Sequence, residues 1–253
     1  MKIEIVTSTY NDEHQLSWIN SIPSNILITI YNKGNVLQNL DLNKMCINIP
    51  NYGRCDYSFL WHIVNNYDKL SDKIIFTKSN WNDHEGCNLN NLLNKCPNFD
   101  FCDVGQHAEY TIWIPNIKEK DKYLKNTNYP HLYYTIVSNN PKFKYNYEKY
   151  KIFNLSTEIY LKIFHDCPLP QPMILWGHGP CFSVSKDLIL RHPKLLYEEL
   201  LKLFYGQITF EDIKLQQEML VAIGKNYHDQ FQRFWKILFT HAVDKTKFKI
   251  EYH

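Results

Sequence analysis

Glycine is scarce in this chain: eight residues in 253. Two of the eight flank His178, in Gly177–His178–Gly179–Pro180, where a glycine-rich turn lets backbone approach another group closely. No Gly-x-Ser-x-Gly elbow, Walker loop or dinucleotide fingerprint occurs, which removes the usual hydrolase, NTPase and Rossmann dehydrogenase readings. No run reaches the roughly 18 apolar residues that a membrane helix needs, so no membrane span is expected. The start, Met1 to Val6, lacks the apolar region and small-residue cleavage site of a signal peptide, and reads as a first strand. Net charge is only +2, with acids and bases interspersed, which argues against nucleic-acid binding through a broad basic face. Seven cysteines, irregularly spaced and without a Cys-x-x-Cys pair, suggest reduced thiols and a cytoplasmic setting. Cys87, Cys96, Cys102 and His107 can be drawn as a zinc set, although small buried hydrophobes account for the same cysteines.

What is present suits a packed core: 44% hydrophobic and 15% aromatic residues, interrupted by no low-complexity linker or repeat. One domain is expected at this length. Strands are expected over residues 3–8, 26–31 and 73–77, with helices near 14–19 and from Arg54, where Phe59, Leu60, Ile63, Val64 and Tyr67 keep helical spacing. Alternating strands and helices predict an α/β fold with a largely parallel sheet. Further strands are expected over 110–114, 131–137 and 181–184, and helices over 157–164, from Pro193 to Phe204, after Thr209 and over 231–239.

Open parallel sheets bind ligands outside the carboxyl ends of their strands. Four loops leave such ends in this reading: Thr7 to Glu13, Tyr31 to Gly34, Lys78 to His84, and Gly177 to Pro180. The stretch Asn82–Asp83–His84–Glu85 offers oxygen and imidazole ligands for Mg²⁺ or Mn²⁺, or else forms an Asx turn. Glu211 and Asp212 could supply a general base, or could complement the dipole of a helix capped by Thr209. Arg54 could clamp a phosphate at a helix start, or pair with Asp56 or Asp68. His241 could reach back to a metal, or carry no role.

Several stretches, in order, resemble a domain-of-unknown-function family with members in fungi and large DNA viruses. They are VTSTYNDEHQLSWI, ITIYNKG, PNYGRCDYSFLWHIVNNYDKLSDKIIFTKSNWNDH, GHGPCFSVSKDLILRHPKLLYEELL and FQRFWKILF. The family's pattern has a Tyr-Asn-Glu-Asp-like first loop, a Gly-Arg-Glu before a helix ending in Tyr-Asp-x-Leu, and a Phe-x-Val-Ser-Lys/Arg strand. The resemblance covers most of the chain outside about 85–165 and 205–228. Cys55 replaces the acid after Gly-Arg, and Gln232 stands where an acid precedes Arg233.

The order of elements is also similar to that of GT-A-type nucleotide-sugar glycosyltransferases. This resemblance implies a GT-A-like, Rossmann-related, mixed and mostly parallel sheet flanked by helices. It implies a donor site at Thr7, Tyr10, Asp12, Arg54, Gly177, His178 and Gly179. A Mn²⁺ or Mg²⁺ would be held by Asp83, His84 and His241, and Asp212 or Glu211 would be the base. The expected partners are a nucleotide-sugar donor and a glycan, glycoprotein or lipid-linked acceptor, in the cytoplasm, a virus factory or a virion. Two other readings stay open: a non-catalytic glycan- or nucleotide-binding relative, and a virion or host-interaction protein.

Overall fold

The structure is a computed structural model. It describes residues 1–38, 45–81, 88–104, 181–205, 235–236, 238–240 and 247–249. It also describes 108–112, 132–134 and 173–177, and for these, for 54 and for 203–205 the backbone alone. Two compact units are present. One comprises Met1–His107, Gly177–Gln207 and Ala242–Tyr252, and the other comprises Ala108–Trp176 and Ile208–His241.

The first unit is built on a mixed, mostly parallel six-stranded sheet. Its strands are β1 (Ile3–Thr9), β2 (Leu27–Asn32), β3 (Met45–Asn48), β4 (Lys73–Lys78), β5 (Phe101–Asp103) and β9 (Phe182–Ser185). They lie in the order β3-β2-β1-β4-β9-β5. β1 pairs in parallel with β2 and β4, and β2 with β3. β9 runs antiparallel to both β4 and β5. β1, β2 and β4 are rich in Ile, Val and Thr, whose branched side chains favour the pleated, buried backbone.

Side chains alternate between two faces. On one face, Val6, Phe76 and Phe182 meet helix α1 (Arg54–Asn66), and the rings of Phe59 and Phe76 lie 4.8 Å apart, those of Phe76 and Phe182 5.2 Å. α1 is buried along Cys55–Leu60 because it is sandwiched between β1 and β4 and a second helix, α3 (Lys194–Tyr205). A short α2 (Lys186–Leu190) precedes it, its first turn capped by Ser185, whose hydroxyl accepts from the Leu188 amide. The expected helix after Pro193 is therefore present, and an additional turn of helix stands ahead of it. On the other face, Ile5 and Ile75 pack with Trp81, Leu92, Cys96, Cys102, Val104 and Cys181. A 3₁₀ helix over Glu13–Ser21 buries Leu16 and Ile19 against Ile30 on that side.

A three-stranded sheet in the order β7-β6-β8 is formed by β6 (Ala108–Ile112), β7 (Leu132–Tyr134) and β8 (Met173–Gly177), whose residues other than Gly177 belong to the second unit. β6 and β7 are parallel. Residues 235–236 and 238–240 are helical, with Trp235 and Phe239 stacked at 5.8 Å. The helices expected over 157–164 and after Thr209 lie outside the described residues.

Candidate functional site

The winding of the sheet defines a switch point. β1, β2 and β3 follow one another outward in one direction, whereas β4 lies on the opposite flank of β1, so the order reverses between β1 and β4. In open α/β sheets such a switch point parts the loops beyond the carboxyl ends and leaves room for a ligand. Here the loop after β1 (Tyr10, Asn11, Asp12) and the segment after β4 (Ser79, Asn80, Trp81) flank it.

Backbone and amide hydrogen bonds fasten these segments. The Lys33 amide donates to the Thr9 carbonyl (3.0 Å), that of Ser79 to the Ser8 carbonyl (2.9 Å), and that of Ile49 to the Asn32 carbonyl (2.9 Å). Asn32 binds the Asn48 side chain at 2.9 Å and accepts from the Gly34 amide at 3.1 Å. Asn11, in a left-handed conformation (φ 56°), accepts from the Asn35 amide at 2.8 Å. Gly34 is required at this contact, since a Cβ there would stand 2.7 Å from the Asn11 amide nitrogen.

Two lysines converge near the start of α1. Lys33 is buried, donates to the Tyr52 carbonyl at 2.5 Å and lies 5.2 Å from the centre of the Tyr57 ring. Burial lowers its pKa to about 8, while Cys55 and Asp56 pull it upward. Lys78, at the end of β4 and half-buried, lies with Lys33 within electrostatic reach of Cys55, whose thiol burial holds firmly protonated. α1 begins at Gly53, which has φ 50° and provides no side-chain cap, so the first amides of the helix have no capping side chain at Gly53. At the switch point, Thr7 and Thr77 sit opposite each other, and Thr7, Thr9 and Thr77 are buried with hydroxyls that have no hydrogen-bond partner.

The expected site residues divide into two groups. Thr7, Tyr10, Asp12 and Arg54 belong to the first sheet's carboxyl edge or to the helix that starts there. Thr7 is buried, Tyr10 is 52% exposed, Asp12 precedes the 3₁₀ helix, and Arg54 is the first residue of α1. Gly177 ends β8, a strand of the three-stranded sheet. The chain beyond it therefore does not leave the sheet that β1, β2 and β4 form. It leads instead into β9, whose first residue, Phe182, pairs with Phe76 near the carboxyl end of β4. Asp83, His84, His178, Gly179, Glu211, Asp212 and His241 lie outside the described residues. Thr9, Lys33 and Lys78 lie within the loops expected from the sequence but were not singled out there, and Thr77 was not named. Their signal is position: Thr9 and Lys78 end β1 and β4, Lys33 directly follows β2, and Thr77 stands one residue before the end of β4.

A groove of about 770 Å³ occupies a different place, lined by Lys2, Glu4, Tyr31, Met45, His62 and Lys69 among others. Its polar floor is largely self-satisfied. Glu4 accepts from Thr29 (2.7 Å) and Ser71 (2.8 Å), and Tyr31 meets His62 Nδ1 at 3.1 Å. Burial lowers the His62 pKa and raises that of Tyr31, so the pair is a neutral imidazole and a phenol. Among the described residues no three His, Cys, Asp or Glu side chains gather to hold a metal. Compared with known proteins, the chain matches no family model, no curated protein and no solved structure.

Proposed function

We propose that the chain is a GT-A-like glycosyltransferase that moves a sugar from a nucleotide-sugar donor to an acceptor hydroxyl with inversion, and that it is a member of the fungal and viral domain-of-unknown-function family it resembles. The observation that carries this reading is the reversal of strand order between β1 and β4, with Lys33 and Lys78 following or ending the strands on either side of β1. The antiparallel β9 adds to it by starting at the same edge, directly after the Gly177–Pro180 stretch.

In this reading the loop Thr7 to Asp12 and the start of α1 at Arg54 hold the donor. Positive charge from Lys33 and Lys78 opposes the charge that develops on the departing diphosphate, which is worth more in a partly desolvated site than in water. Gly177, His178 and Gly179 admit the sugar closely, because glycine lacks a side chain. Asp212, with Glu211 beside it, takes the proton of the acceptor hydroxyl as its oxygen attacks the anomeric carbon opposite the leaving group. The acceptor is a glycan, a glycoprotein or a lipid-linked sugar met in the cytoplasm or a virus-associated compartment. No described helix is long and apolar enough to cross a membrane. A Mn²⁺ or Mg²⁺ on Asp83, His84 and His241 would neutralise the diphosphate when bound. The described residues offer no metal set of their own.

The test is titration calorimetry with UDP- and GDP-sugars, with and without Mn²⁺, followed by transfer of labelled sugar to hydroxyl acceptors. Binding with transfer is expected. Asp212→Asn should abolish transfer and spare donor binding, and Asp83→Ala should lose turnover and any divalent-ion dependence. Binding without transfer or donor hydrolysis would make the chain a non-catalytic relative, and a stable protein complex without nucleotide binding would point to an interaction protein.

A further inference from the structure

Behind the sheet face that α1 leaves uncovered, two thiols touch. Cys96 Sγ and Cys102 Sγ are 3.3 Å apart, both fully buried, in the cluster that also contains Trp81, Leu92 and Cys181. A disulfide bond is about 2.05 Å long, so closure requires the sulfurs to approach by little more than about 1 Å. The backbone that presents them is held at several points. Cys102 is central in β5 and pairs with Ser183, and the Ser183 hydroxyl donates to the Cys96 carbonyl at 3.1 Å. Cys96 opens the short 3₁₀ turn Cys96–Asn98, and the Phe99 amide donates back to its carbonyl at 3.3 Å. Lys73, itself buried, donates to the Phe99 carbonyl between the two cysteines and lies within electrostatic reach of both thiols.

We propose that Cys96 and Cys102 form a redox modification site that a small hydroperoxide converts to an intramolecular disulfide. The first thiolate attacks the peroxide: an S–O bond forms, the O–O bond breaks, and water or an alcohol leaves carrying the thiol's proton. The second sulfur attacks the resulting sulfenic sulfur, an S–S bond forms, the S–O bond breaks, and water leaves with the second proton. Two thiols are oxidised and one hydroperoxide is reduced. The product ties the 96–98 turn to β5. This site is independent of sugar transfer.

The full chain treated with hydrogen peroxide, denatured in N-ethylmaleimide and digested should show Cys96 and Cys102 leaving the alkylated pool together. Their peptides should appear joined, about 2 Da lighter than their sum, and dithiothreitol should restore both. Cys102→Ser should leave Cys96 as a sulfenic acid that dimedone captures, and Cys96→Ser should do the same for Cys102. If both thiols stay alkylatable while the exposed Cys46 is oxidised, or if dimedone labels one of them in the wild-type chain without a cross-link, the proposal fails. The wild-type peptide map decides the matter alone should either variant not fold.

Discussion

Replacing Lys33 by Met tests the electrostatics of the switch point. The ammonium is buried, and its pKa falls from the ordinary 10.5 to about 8. A depressed lysine pKa means that the folded chain binds fewer protons than the unfolded chain between those values, so stability should rise with pH through that window. For a single group with these two pKa values, the gain between pH 7 and pH 9.5 is about 2 kcal/mol. Cys55, Asp56 and Tyr57 face Lys33. The raised pKa values of Cys55 and Tyr31 act in the opposite sense, since the folded chain keeps protons there that the unfolded chain loses. That contribution is common to both proteins and largely cancels in their difference. Urea unfolding followed by tryptophan fluorescence at intervals from pH 7 to 9.5 should show the wild type gaining on Lys33→Met by that amount. A difference that stays flat across the window would refute a buried, charge-strained Lys33.

Gly34→Ala should cost on the order of 1–3 kcal/mol, because the new Cβ meets the Asn11 backbone, and an unchanged urea midpoint would contradict the contact. Glu4→Ala removes the acceptor for both Thr29 and Ser71 and should destabilise by about 2–3 kcal/mol; a loss under about 0.5 kcal/mol would show that these hydroxyls find other partners. His62 should stay neutral in ¹⁵N NMR as pH falls below its ordinary 6.5, and its contribution to stability should decline from about that pH downward, as the unfolded chain's imidazole binds a proton that the folded ring does not, levelling off once the folded ring itself charges. Titration of His62 at its ordinary pKa would mean that the ring is solvated.

The frame was readable where periodicity and composition agree. β1, β2 and β4 are runs of Ile, Val, Thr and Phe bounded by turn residues, and α1 repeats apolar side chains at helical spacing, so both kinds of element emerge from local pattern. β3 and β5 were not readable. Met45–Asn48 forms a largely exposed edge without apolar alternation, and Phe101–Asp103 has too few residues to show a period. Nor does local pattern reveal that β9 runs antiparallel between β4 and β5, since direction depends on the long chain segment that precedes it. At the switch point, Thr7, Tyr10 and Asp12 could be named because they end or follow the first strand. Lys33 was read only as part of the loop Tyr31 to Gly34, because nothing local signals that it will be buried against Tyr52 and the first turn of α1. Gly177 suggested a further strand end, and it is one, but in the other sheet.

The central claim is that a nucleotide-sugar binds at the switch point between β1 and β4. Titration calorimetry of the wild-type chain, Lys78→Ala and Asp212→Asn with UDP- and GDP-sugars tests it most directly. The account predicts saturable binding by the wild type, at least tenfold weaker binding by Lys78→Ala, and unchanged binding by Asp212→Asn. No binding of any nucleotide-sugar by the folded wild-type chain, or binding indifferent to Lys78→Ala, would contradict it.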